Sequence, residues 1–212
     1  MVADNESVTT PSWDAAYAGS TPPPWDVGQP QPAFVRLAAR GLLTGQVLDV
    51  GCGTGEQTLL AASSGAEALG VDISPLAVEQ ARAKAAARGI GQARFEVADA
   101  LSLADLGLSF DTAIDSGLFH VFDDESRARY VAGLASVLRP GGHLYLMCFS
   151  DRQPGTSGPR RISQDELRAA FRDGWTIATI AAESFTINTE AFGAATVQAW
   201  LASIVRISPP QP

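Results

Sequence analysis

The sequence contains few residues of the types that build disulfide frameworks, metal clusters or nucleic-acid surfaces. It has two cysteines, Cys52 and Cys148, and two histidines among 212 residues. Two cysteines make no disulfide framework, which favours a reducing cytoplasm, and without clustered His, Cys and carboxylate ligands no metal is expected. Acidic residues outnumber basic ones 23 to 15, giving a net charge of -8. A surface that neutralises phosphates needs a basic stripe, so nucleic acid is disfavoured as a partner.

Long apolar runs are absent from the sequence as well. No stretch approaches the roughly 20 apolar residues that a membrane span needs. The polar and acidic start, Met1 to Thr10, has no basic region followed by an apolar one, so no signal peptide is predicted. With 46% hydrophobic residues, the chain is expected to fold around one core in the cytoplasm, with no membrane partner.

Composition divides the chain into three parts. Residues 1–12 are polar and show no periodicity, so they are expected to be disordered. Residues 13–32, called the lid segment below, combine Trp13, Tyr17 and Trp25 with prolines at 22–24 that force an extended path. Residues 33–208 alternate between strand and helix patterns, which predicts an α/β domain with a mainly parallel sheet and helices on both faces.

The expected elements follow from apolar runs and from glycine, proline and capping residues. Strands are predicted at 47–50, 68–72, 93–97, 110–115 and 143–149, with two β-rich runs at 175–187 and 197–207. Helices are predicted at 33–39, 56–64, 75–88 and 124–138, and Ser163 with Glu166 forms a capping box for another. Ligands of such sheets bind outside the carboxyl ends of the strands. The polar residues that fall there are Asp49, Asp72, Asp99, Asp115 and Ser150.

The loop after the first predicted strand has glycines at 51, 53 and 55. Nucleotide cofactors use a Gly-x-Gly-x-x-Gly pattern that places pyrophosphate at a helix N-terminus. Here Glu56 starts the helix, and its carboxylate would repel pyrophosphate. A positively charged sulfonium ligand that also bears an ammonium group meets no such repulsion, so a nicotinamide cofactor is disfavoured.

Two further acids lie at successive strand ends. Asp72 follows the second strand, where a carboxylate can accept hydrogen bonds from both hydroxyls of a ribose. Asp99 follows the third strand and lies between Ala98 and Ala100, which leave room for a flat ring. It can accept from the amino group of an adenine. Together with Asp49, these acids indicate an adenosine-containing cofactor.

These motifs, in this order, resemble class I S-adenosylmethionine (SAM)-dependent methyltransferases. The segment VLDVGCGTG at 47–55 is similar to their motif I, VDIS at 71–74 to their ribose motif and VADA at 97–100 to their adenine motif. LRPGG at 138–142 resembles the turn before their fifth strand. The resemblance implies a Rossmann-like, seven-stranded mixed sheet of order 3-2-1-4-5-7-6, with strand seven antiparallel, and SAM as the cofactor.

The same resemblance and the strand-end positions give the expected cofactor-binding residues. They are Trp25, Asp49, Gly51, Cys52, Gly53, Gly55, Asp72, Ile73, Asp99, Ala100, Leu101, Asp115 and Ser116. The resemblance implies Asp49 and the glycines at the methionine part, Asp72 and Ile73 at the ribose and adenine, and Asp99 and Ala100 at the adenine.

The fourth strand leads into DSGLFHVF at 115–122, and this segment restricts the class of molecule that can accept the methyl group. It lacks the Asn/Asp-Pro-Pro-Tyr/Phe signature of enzymes that methylate amino groups of nucleic acids, and no Pro-Cys nucleophile is present, so a small molecule remains. His120 is expected to act as a general base or orienting group, with Asp115 as a second catalytic candidate, because imidazole titrates near neutral pH. A histidine that merely packs beside the cofactor is the alternative.

The lid segment supplies a finer resemblance. PPWDVG at 23–28, QPQP at 29–32 and CFSD at 148–151 resemble thiopurine methyltransferase-like enzymes and, more closely, actinobacterial heterocyclic toxin methyltransferases. This implies methylation of a hydroxyl, or of a ring nitrogen or sulfur, on a small aromatic heterocycle such as a hydroxyquinolone. The substrate-binding candidates are Trp13, Tyr17, Trp25, Phe119, His120 and Phe149.

Several alternatives stay open at this point. The acceptor can be another small molecule, for example a quinone precursor, a thiol or a halide, and the chain can be a SAM-binding protein without catalysis. The lid aromatics can close over the cofactor or plug the edge of the sheet. Both a monomer and a homodimer agree with the sequence.

Overall fold

The computed structural model describes residues 10–188 and 195–208, which form one seven-stranded sheet flanked by helices. The helices are α1 (Thr10–Ala18), α2 (Pro32–Ala39), α3 (Glu56–Ser63), α4 (Pro75–Arg88), α5 (Asp124–Val137) and α6 (Gln164–Ala170). The strands are β1 (Gln46–Val50), β2 (Glu67–Asp72), β3 (Ala93–Val97), β4 (Phe110–Ser116), β5 (Leu138–Phe149), β6 (Trp175–Thr186) and β7 (Thr196–Arg206). Two short 3-10 helices cover Ala100–Leu106 and Phe119–Val121.

The strand order is β3-β2-β1-β4-β5-β7-β6, which confirms the order expected from the family resemblance. The first five strands pair in parallel, and β7 runs antiparallel between β5 and β6. The chain adds β2 and β3 on one side of β1 and β4 and β5 on the other. At such a switch point the carboxyl ends of the two central strands form a crevice where ligands of open α/β sheets bind.

The central strands are apolar because both of their faces are covered. In β1, Leu48 and Val50 pack on one face with Tyr130 and Leu134 of α5, whereas Val47 packs on the other face in the same cluster as Phe34 of α2. These side chains are essentially inaccessible. Each fully buried side chain of this kind stabilises the fold by about 1.5–3 kcal/mol.

Local capping fixes the ends of the helices. The hydroxyl of Ser74 accepts the N–H of Ala77 at 3.1 Å, Pro75 follows at the first helical position, and Gly89 ends α4 in the left-handed conformation. Ser163 and Glu166 form the expected capping box at the start of α6. These predicted helix boundaries are confirmed.

Three features differ from the expectations. Helix α1 begins at Thr10, inside the stretch expected to be disordered; residues 1–9 of that stretch lie outside the described residues. Strand β5 begins at Leu138 and not at 143, because the Arg139–Gly142 turn is included in the strand as a pairing irregularity opposite 110–112. The two 3-10 helices were not expected. No helix within 10–188 and 195–208 is both long and apolar enough to span a membrane.

Candidate active site

The glycine loop joins β1 to α3 at the carboxyl edge of the sheet. The N–H groups of Gly51 and Cys52 both donate to the carbonyl of Val71 at 2.9 Å, which ties the loop to β2. Gly51, Gly53 and Gly55 have φ values of 68°, 52° and 89°, a left-handed conformation that strains other residues. The loop can therefore turn tightly and present backbone, without side chains, to a ligand.

Asp72 connects the glycine loop to α4. Its carboxylate accepts the N–H of Gly53 at 2.8 Å and that of Ser74 at 2.9 Å. Burial raises the pKa of Asp72, while these two backbone bonds lower it. Each carboxylate oxygen has two acceptor positions, so the pair of bonds leaves Asp72 able to accept hydroxyl groups of a ligand.

Asp49 lies one strand away and is buried. The hydroxyl of Thr58 on α3 donates to it at 2.6 Å. Burial raises the pKa of Asp49 to about 7, and the bond from Thr58 lowers it in part. Asp49 lies at the same carboxyl edge of the sheet as Asp72.

Asp99 lies two residues after the end of β3 and, unlike the other two acids, is exposed. One of its carboxylate oxygens accepts the N–H of Leu101 at 2.8 Å and caps the following 3-10 helix. Ala98 and Ala100 flank it and are half-buried. Ile73 is also half-buried at the end of β2. The structure thus places the expected ribose and adenine residues at neighbouring strand ends.

The lid segment brings its three aromatic residues together beside the glycine loop. The indole N–H of Trp25 donates to the hydroxyl of Tyr17 at 2.9 Å, and the rings of Trp13 and Trp25 meet edge to face with centroids 5.7 Å apart. The Tyr17 hydroxyl lies 2.9 Å from where a Cβ on Gly53 would be. Tyr17 is buried, whereas Trp25 is 41% exposed. Burial, reinforced by Asp72, raises the pKa of Tyr17 well above its usual range.

Polar bonds hold the lid segment at both ends of the site. Asp14 accepts the hydroxyl of Ser74, and Asp26 accepts that of Thr54 at 2.9 Å. The buried side chain of Gln31 exchanges two hydrogen bonds with the backbone of Thr186, at 2.8 and 2.9 Å. The segment therefore lies between the glycine loop and the end of β6. Sequence reasoning missed Gln31, which carries no local signal of this role.

Glu56 does not present a free negative charge to the glycine loop. Its carboxylate accepts both terminal nitrogens of Arg88, at 2.8 and 2.9 Å, and Lys84 at 2.9 Å. Burial opposes ionisation, but these bonds lower the pKa of Glu56 overall. The expectation that Glu56 alone repels pyrophosphate is therefore wrong. The choice of cofactor depends on the acids at the strand ends and on the comparisons below.

Asp115 lies near the end of β4, next to the 3-10 helix Phe119–Val121, and is fully buried. It accepts the N–H of Leu118 at 2.8 Å, that of Phe119 at 3.0 Å and the hydroxyl of Tyr130 at 2.9 Å. Burial raises the pKa of Asp115 to about 7, and these bonds lower it in part. Its carboxylate is directed at the protein. Next to it, the Ser116 hydroxyl is buried and has no partner among the described residues.

His120 is buried and is held by a backbone bond. Its Nδ1 atom accepts the N–H of Phe149 at 2.9 Å, so a neutral imidazole carries its proton on Nε2. Burial lowers the pKa of His120 to about 3, with smaller contributions from Arg161 and Arg127. At neutral pH this side chain is therefore an uncharged hydrogen-bond donor.

His120 belongs to a group of three rings, called the aromatic cluster below. Its ring centroid lies 4.9 Å from that of Phe149 and 6.4 Å from that of Phe185, and the two phenylalanines are 5.7 Å apart. Phe185 on β6 was not predicted, because its place depends on the register of the antiparallel β7–β6 pair.

Phe119 does not join this cluster. It is inaccessible, stacks on Phe171 at 5.8 Å and has the guanidinium of Arg127 at 4.6 Å from its ring centre. Its ring belongs to the core on the α5 side of the sheet.

The Cys52 side chain is buried as well, and burial raises the pKa of its thiol. Within 10–188 and 195–208, no group of three His, Cys, Asp or Glu residues is placed to hold a metal ion.

The described residues fit SAM as a ligand. Glycine at 51 and 53 lets the loop backbone pack closely beside Leu118 and Tyr17, which a Cβ at either position would meet. Asp72 and Asp99 keep acceptor positions for hydroxyl and amino groups. The unpartnered hydroxyl of Ser116 needs a partner, since a buried polar group without one is unfavourable.

Comparisons with known proteins agree with this geometry. A family model for the methyltransferase domain matches residues 47–142. The 2-heptyl-1-hydroxyquinolin-4(1H)-one methyltransferase of Mycobacteroides abscessus is 34% identical over 188 residues, which cover 85% of this chain and 83% of that protein.

Two solved structures extend the likeness to the fold. One concerns the conversion of a disulfide bond into a thioacetal group during echinomycin biosynthesis; it is 40% identical with a TM-score of 0.85, covering 94% of this chain and 93% of that one. The magnesium protoporphyrin IX methyltransferase of Synechocystis PCC 6803, with bound S-adenosylhomocysteine, is 26% identical with a TM-score of 0.64, covering 82% and 80%. The chain belongs to the SAM-dependent methyltransferases and is an enzyme that methylates a small molecule.

Proposed function

We propose that this enzyme transfers the methyl group of SAM to a hydroxyl of a small aromatic heterocycle, for which a hydroxyquinolone is the model. The observation that carries the proposal is the aromatic cluster of His120, Phe149 and Phe185 at the carboxyl end of the sheet, on the same edge as the glycine loop. The relative from Mycobacteroides abscessus, named for a hydroxyquinolone, supports the choice of acceptor.

The cofactor is held, in this proposal, by residues on three strand ends. The backbone of Gly51, Cys52, Gly53 and Gly55 lies against the methionine part together with Asp49 and the Ser116 hydroxyl. Asp72 and Ile73 bind the ribose, and Asp99, Ala100 and Leu101 the adenine. When bound, SAM supplies an electrophilic methyl group on a sulfonium sulfur.

The acceptor lies between the lid segment and the aromatic cluster. A flat heterocycle buries its faces against the rings of Trp13, Trp25 and Phe149, which is favourable because aromatic pairs gain about 0.5–1.5 kcal/mol beyond burial. Tyr17, whose hydroxyl accepts the indole N–H of Trp25, forms the side of the acceptor site next to the glycine loop. Alignment of the acceptor oxygen with the methyl group is the main catalytic task of such a site.

His120 orients the acceptor and does not take its proton. Because Nδ1 accepts the Phe149 N–H, the nitrogen left for the acceptor is the protonated Nε2, which donates. Asp115 holds the 3-10 helix that carries His120 through its bonds to Leu118 and Phe119, so it is a positioning residue. Both residues thus support catalysis without acting as general bases.

A sulfur acceptor is the second candidate. The structural relative from echinomycin biosynthesis concerns chemistry at a disulfide bond. A thiol or a heterocyclic thione presents a polarizable sulfur atom that can also pack against the aromatic cluster. The difference between the two candidates is therefore in the reacting atom and not in the cofactor residues.

The test is turnover of labelled SAM with a panel of acceptors, followed by mass spectrometry. The panel contains 2-heptyl-1-hydroxyquinolin-4(1H)-one, a flavonol and a thiopurine. One labelled methyl on the hydroxyquinolone supports the proposal, and methylation of the thiopurine alone supports the sulfur candidate. Tight binding of S-adenosylhomocysteine with no product from any of them would overturn both.

Three further expectations stay predictions. They are a monomer or homodimer as the working state, a cytoplasmic location, and the absence of a nucleic-acid partner. Gel filtration with light scattering checks the first.

A further inference from the structure

We infer that the acceptor binds as its conjugate base, so that the site selects heteroaromatic hydroxyls, or thiols, acidic enough to ionise near neutral pH. The inference rests on the proposed function and names the substrate class within it. It is carried by two structural facts: a guanidinium without a carboxylate partner lies beside the aromatic cluster, and the described residues around that cluster provide donors but no base.

The guanidinium is that of Arg161, in the segment between β5 and α6. Its carbon lies 5.3 Å from the ring centre of Phe149, the ring that His120 also contacts. Its nitrogens donate to the carbonyls of Gln153 at 3.3 Å, Ser157 at 2.9 Å and Pro159 at 2.6 Å. These partners fix the position of Arg161 and are uncharged.

Arg161 is therefore stabilised by backbone carbonyls and not by an ion pair. Among the part of the chain that the structure describes, no carboxylate lies within 4.0 Å of it. The adjacent Arg160, by contrast, pairs with Asp124 at 2.6 Å and with Glu166. Two arginines next to each other in sequence thus have opposite electrostatic roles, and Arg161 is the one that favours an anion at the cluster.

The groups that act on His120 are cationic or apolar. Its ring contacts those of Phe149 and Phe185, and Arg161 and Arg127 contribute positive charge to its surroundings. The guanidinium of Arg127, unlike that of Arg161, has ion-pair partners, Asp124 at 3.5 Å and Glu166 at 3.9 Å. No carboxylate in the described ranges hydrogen-bonds to His120, so a proton from the acceptor has no receiver there.

Each of the nearby acids accepts hydrogen bonds from within the protein, which fix its orientation. Asp115 accepts Leu118, Phe119 and Tyr130. Asp49 accepts Thr58, and Asp151 accepts the indole N–H of Trp200 at 3.1 Å. An acceptor that enters as an anion needs none of them, since it leaves its proton in the solvent before binding.

The methyl transfer then balances without a protein base. A lone pair of the acceptor oxyanion forms the new oxygen–carbon bond as the carbon–sulfur bond breaks. The electrons of the broken bond stay on sulfur, which becomes a neutral thioether, and the methylated acceptor is neutral too. An ordinary phenol, with a pKa of about 10, is mostly protonated at pH 7 and is expected to be a poor substrate.

The experiment is a spectrophotometric titration of the acceptor in its complex with the enzyme and S-adenosylhomocysteine, which needs no turnover. The probe is 2-heptyl-1-hydroxyquinolin-4(1H)-one, whose ionised and neutral forms absorb differently. Bound probe is expected to ionise about one pH unit lower than free probe, equivalent to about tenfold tighter binding of the anion. An unchanged or raised pKa of the bound probe would overturn the inference.

Variants of the two neighbouring arginines provide the matched control. Arg161→Gln is expected to abolish most of the tenfold preference for the anion, and Arg160→Gln to leave it unchanged. Arg161→Lys keeps the charge and is expected to restore part of the preference, which separates charge from loop packing. Equal effects of the Arg160 and Arg161 substitutions, or no recovery with lysine, would contradict the assignment.

A kinetic series separates this inference from the proposed function. Across hydroxyquinolones of graded acidity, the acidic limb of kcat/KM is expected to follow the pKa of each free acceptor. A limb that stays at one pH for all acceptors would assign the ionisation to the protein and overturn the inference alone. Preferential binding of the anion without methyl transfer to any heterocycle would instead overturn the proposed function.

Discussion

The Nδ1 atom of His120 accepts the backbone N–H of Phe149 at 2.9 Å, and this bond determines what the imidazole can do. It links the 3-10 helix after β4 to the last residue of β5, so the ring is fixed at the carboxyl edge of two neighbouring strands. The proton is then on Nε2, and the imidazole donates. In the proposed function, this fixed donor makes His120 an orienting group.

The first prediction concerns substitutions of His120. His120→Gln can accept the Phe149 N–H with its carbonyl and donate with its amide, so kcat/KM is expected to fall by about tenfold or less. His120→Leu loses both functions and is expected to lose about a hundredfold. In both variants the pH profile of kcat/KM keeps its shape. Loss of its acidic limb in both would show that His120 is a base.

The second prediction concerns acid stability. The pKa of His120 is about 3 in the folded protein and 6.5 in its unperturbed state, so the unfolded chain binds more protons between these values. His120 therefore stabilises the fold above pH 6.5, and this contribution is lost as the pH falls toward 3. Urea unfolding is expected to show that, between pH 6.5 and 4.5, the free energy of unfolding falls by about 2 kcal/mol less in His120→Gln than in the wild type. Equal losses would contradict the burial of a neutral imidazole.

The third prediction has the opposite sign and concerns Asp115. Its pKa is raised from 3.8 to about 7, so its contribution to stability is complete below pH 3.8 and is lost as the pH rises through 7. Asp115→Asn keeps an oxygen that accepts the Leu118 N–H, replaces the oxygen that accepts the Tyr130 hydroxyl by an amide donor, and is expected to flatten this decline in urea unfolding. Asp111→Asn, an exposed acid at the other end of β4, is the control. A decline that persists in Asp115→Asn would contradict the prediction.

The fourth prediction compares two left-handed glycines. Gly53 has a φ of 52° and Gly89 a φ of 67°, and alanine strains either position by about 1 kcal/mol. A Cβ on Gly53 would lie 2.9 Å from the Tyr17 hydroxyl, whereas one on Gly89 meets nothing within 4 Å. Calorimetry is expected to show a larger stability loss for Gly53→Ala than for Gly89→Ala, and at least about tenfold weaker binding of S-adenosylhomocysteine in Gly53→Ala alone. Normal binding in that variant would separate the loop from the cofactor site.

The sequence predicted the central part of the fold closely, because its signals are local. Ser74 and Pro75 start α4, Gly89 ends it, and the apolar residues of β1 are buried on both faces. Such features depend on residues a few positions apart. For the same reason the strand-end acids Asp49, Asp72 and Asp99 were placed at the site from their positions in sequence.

What the sequence did not predict depends on contacts between distant segments. Helix α1 is weakly amphipathic and forms where Asp14 meets Ser74 and where Gln80 donates to the carbonyl of Tyr17 at 3.3 Å. Phe185 and Arg161 reach the aromatic cluster through the antiparallel strands and the segment after β5. Phe119 was expected at the substrate, but the 3-10 helix turns its ring into the core.

The central claim is methyl transfer to a heteroaromatic hydroxyl, and a single-turnover experiment with a matched pair of acceptors tests it most directly. Enzyme loaded with trideuteromethyl SAM is mixed with 2-heptyl-1-hydroxyquinolin-4(1H)-one or with 2-heptylquinolin-4(1H)-one, which lacks the 1-hydroxyl group. Mass spectrometry with fragmentation is expected to find one labelled methyl on the hydroxyl oxygen of the first and none on the second. Labelling of both at carbon or ring nitrogen, or of neither while S-adenosylhomocysteine binds, would contradict the account.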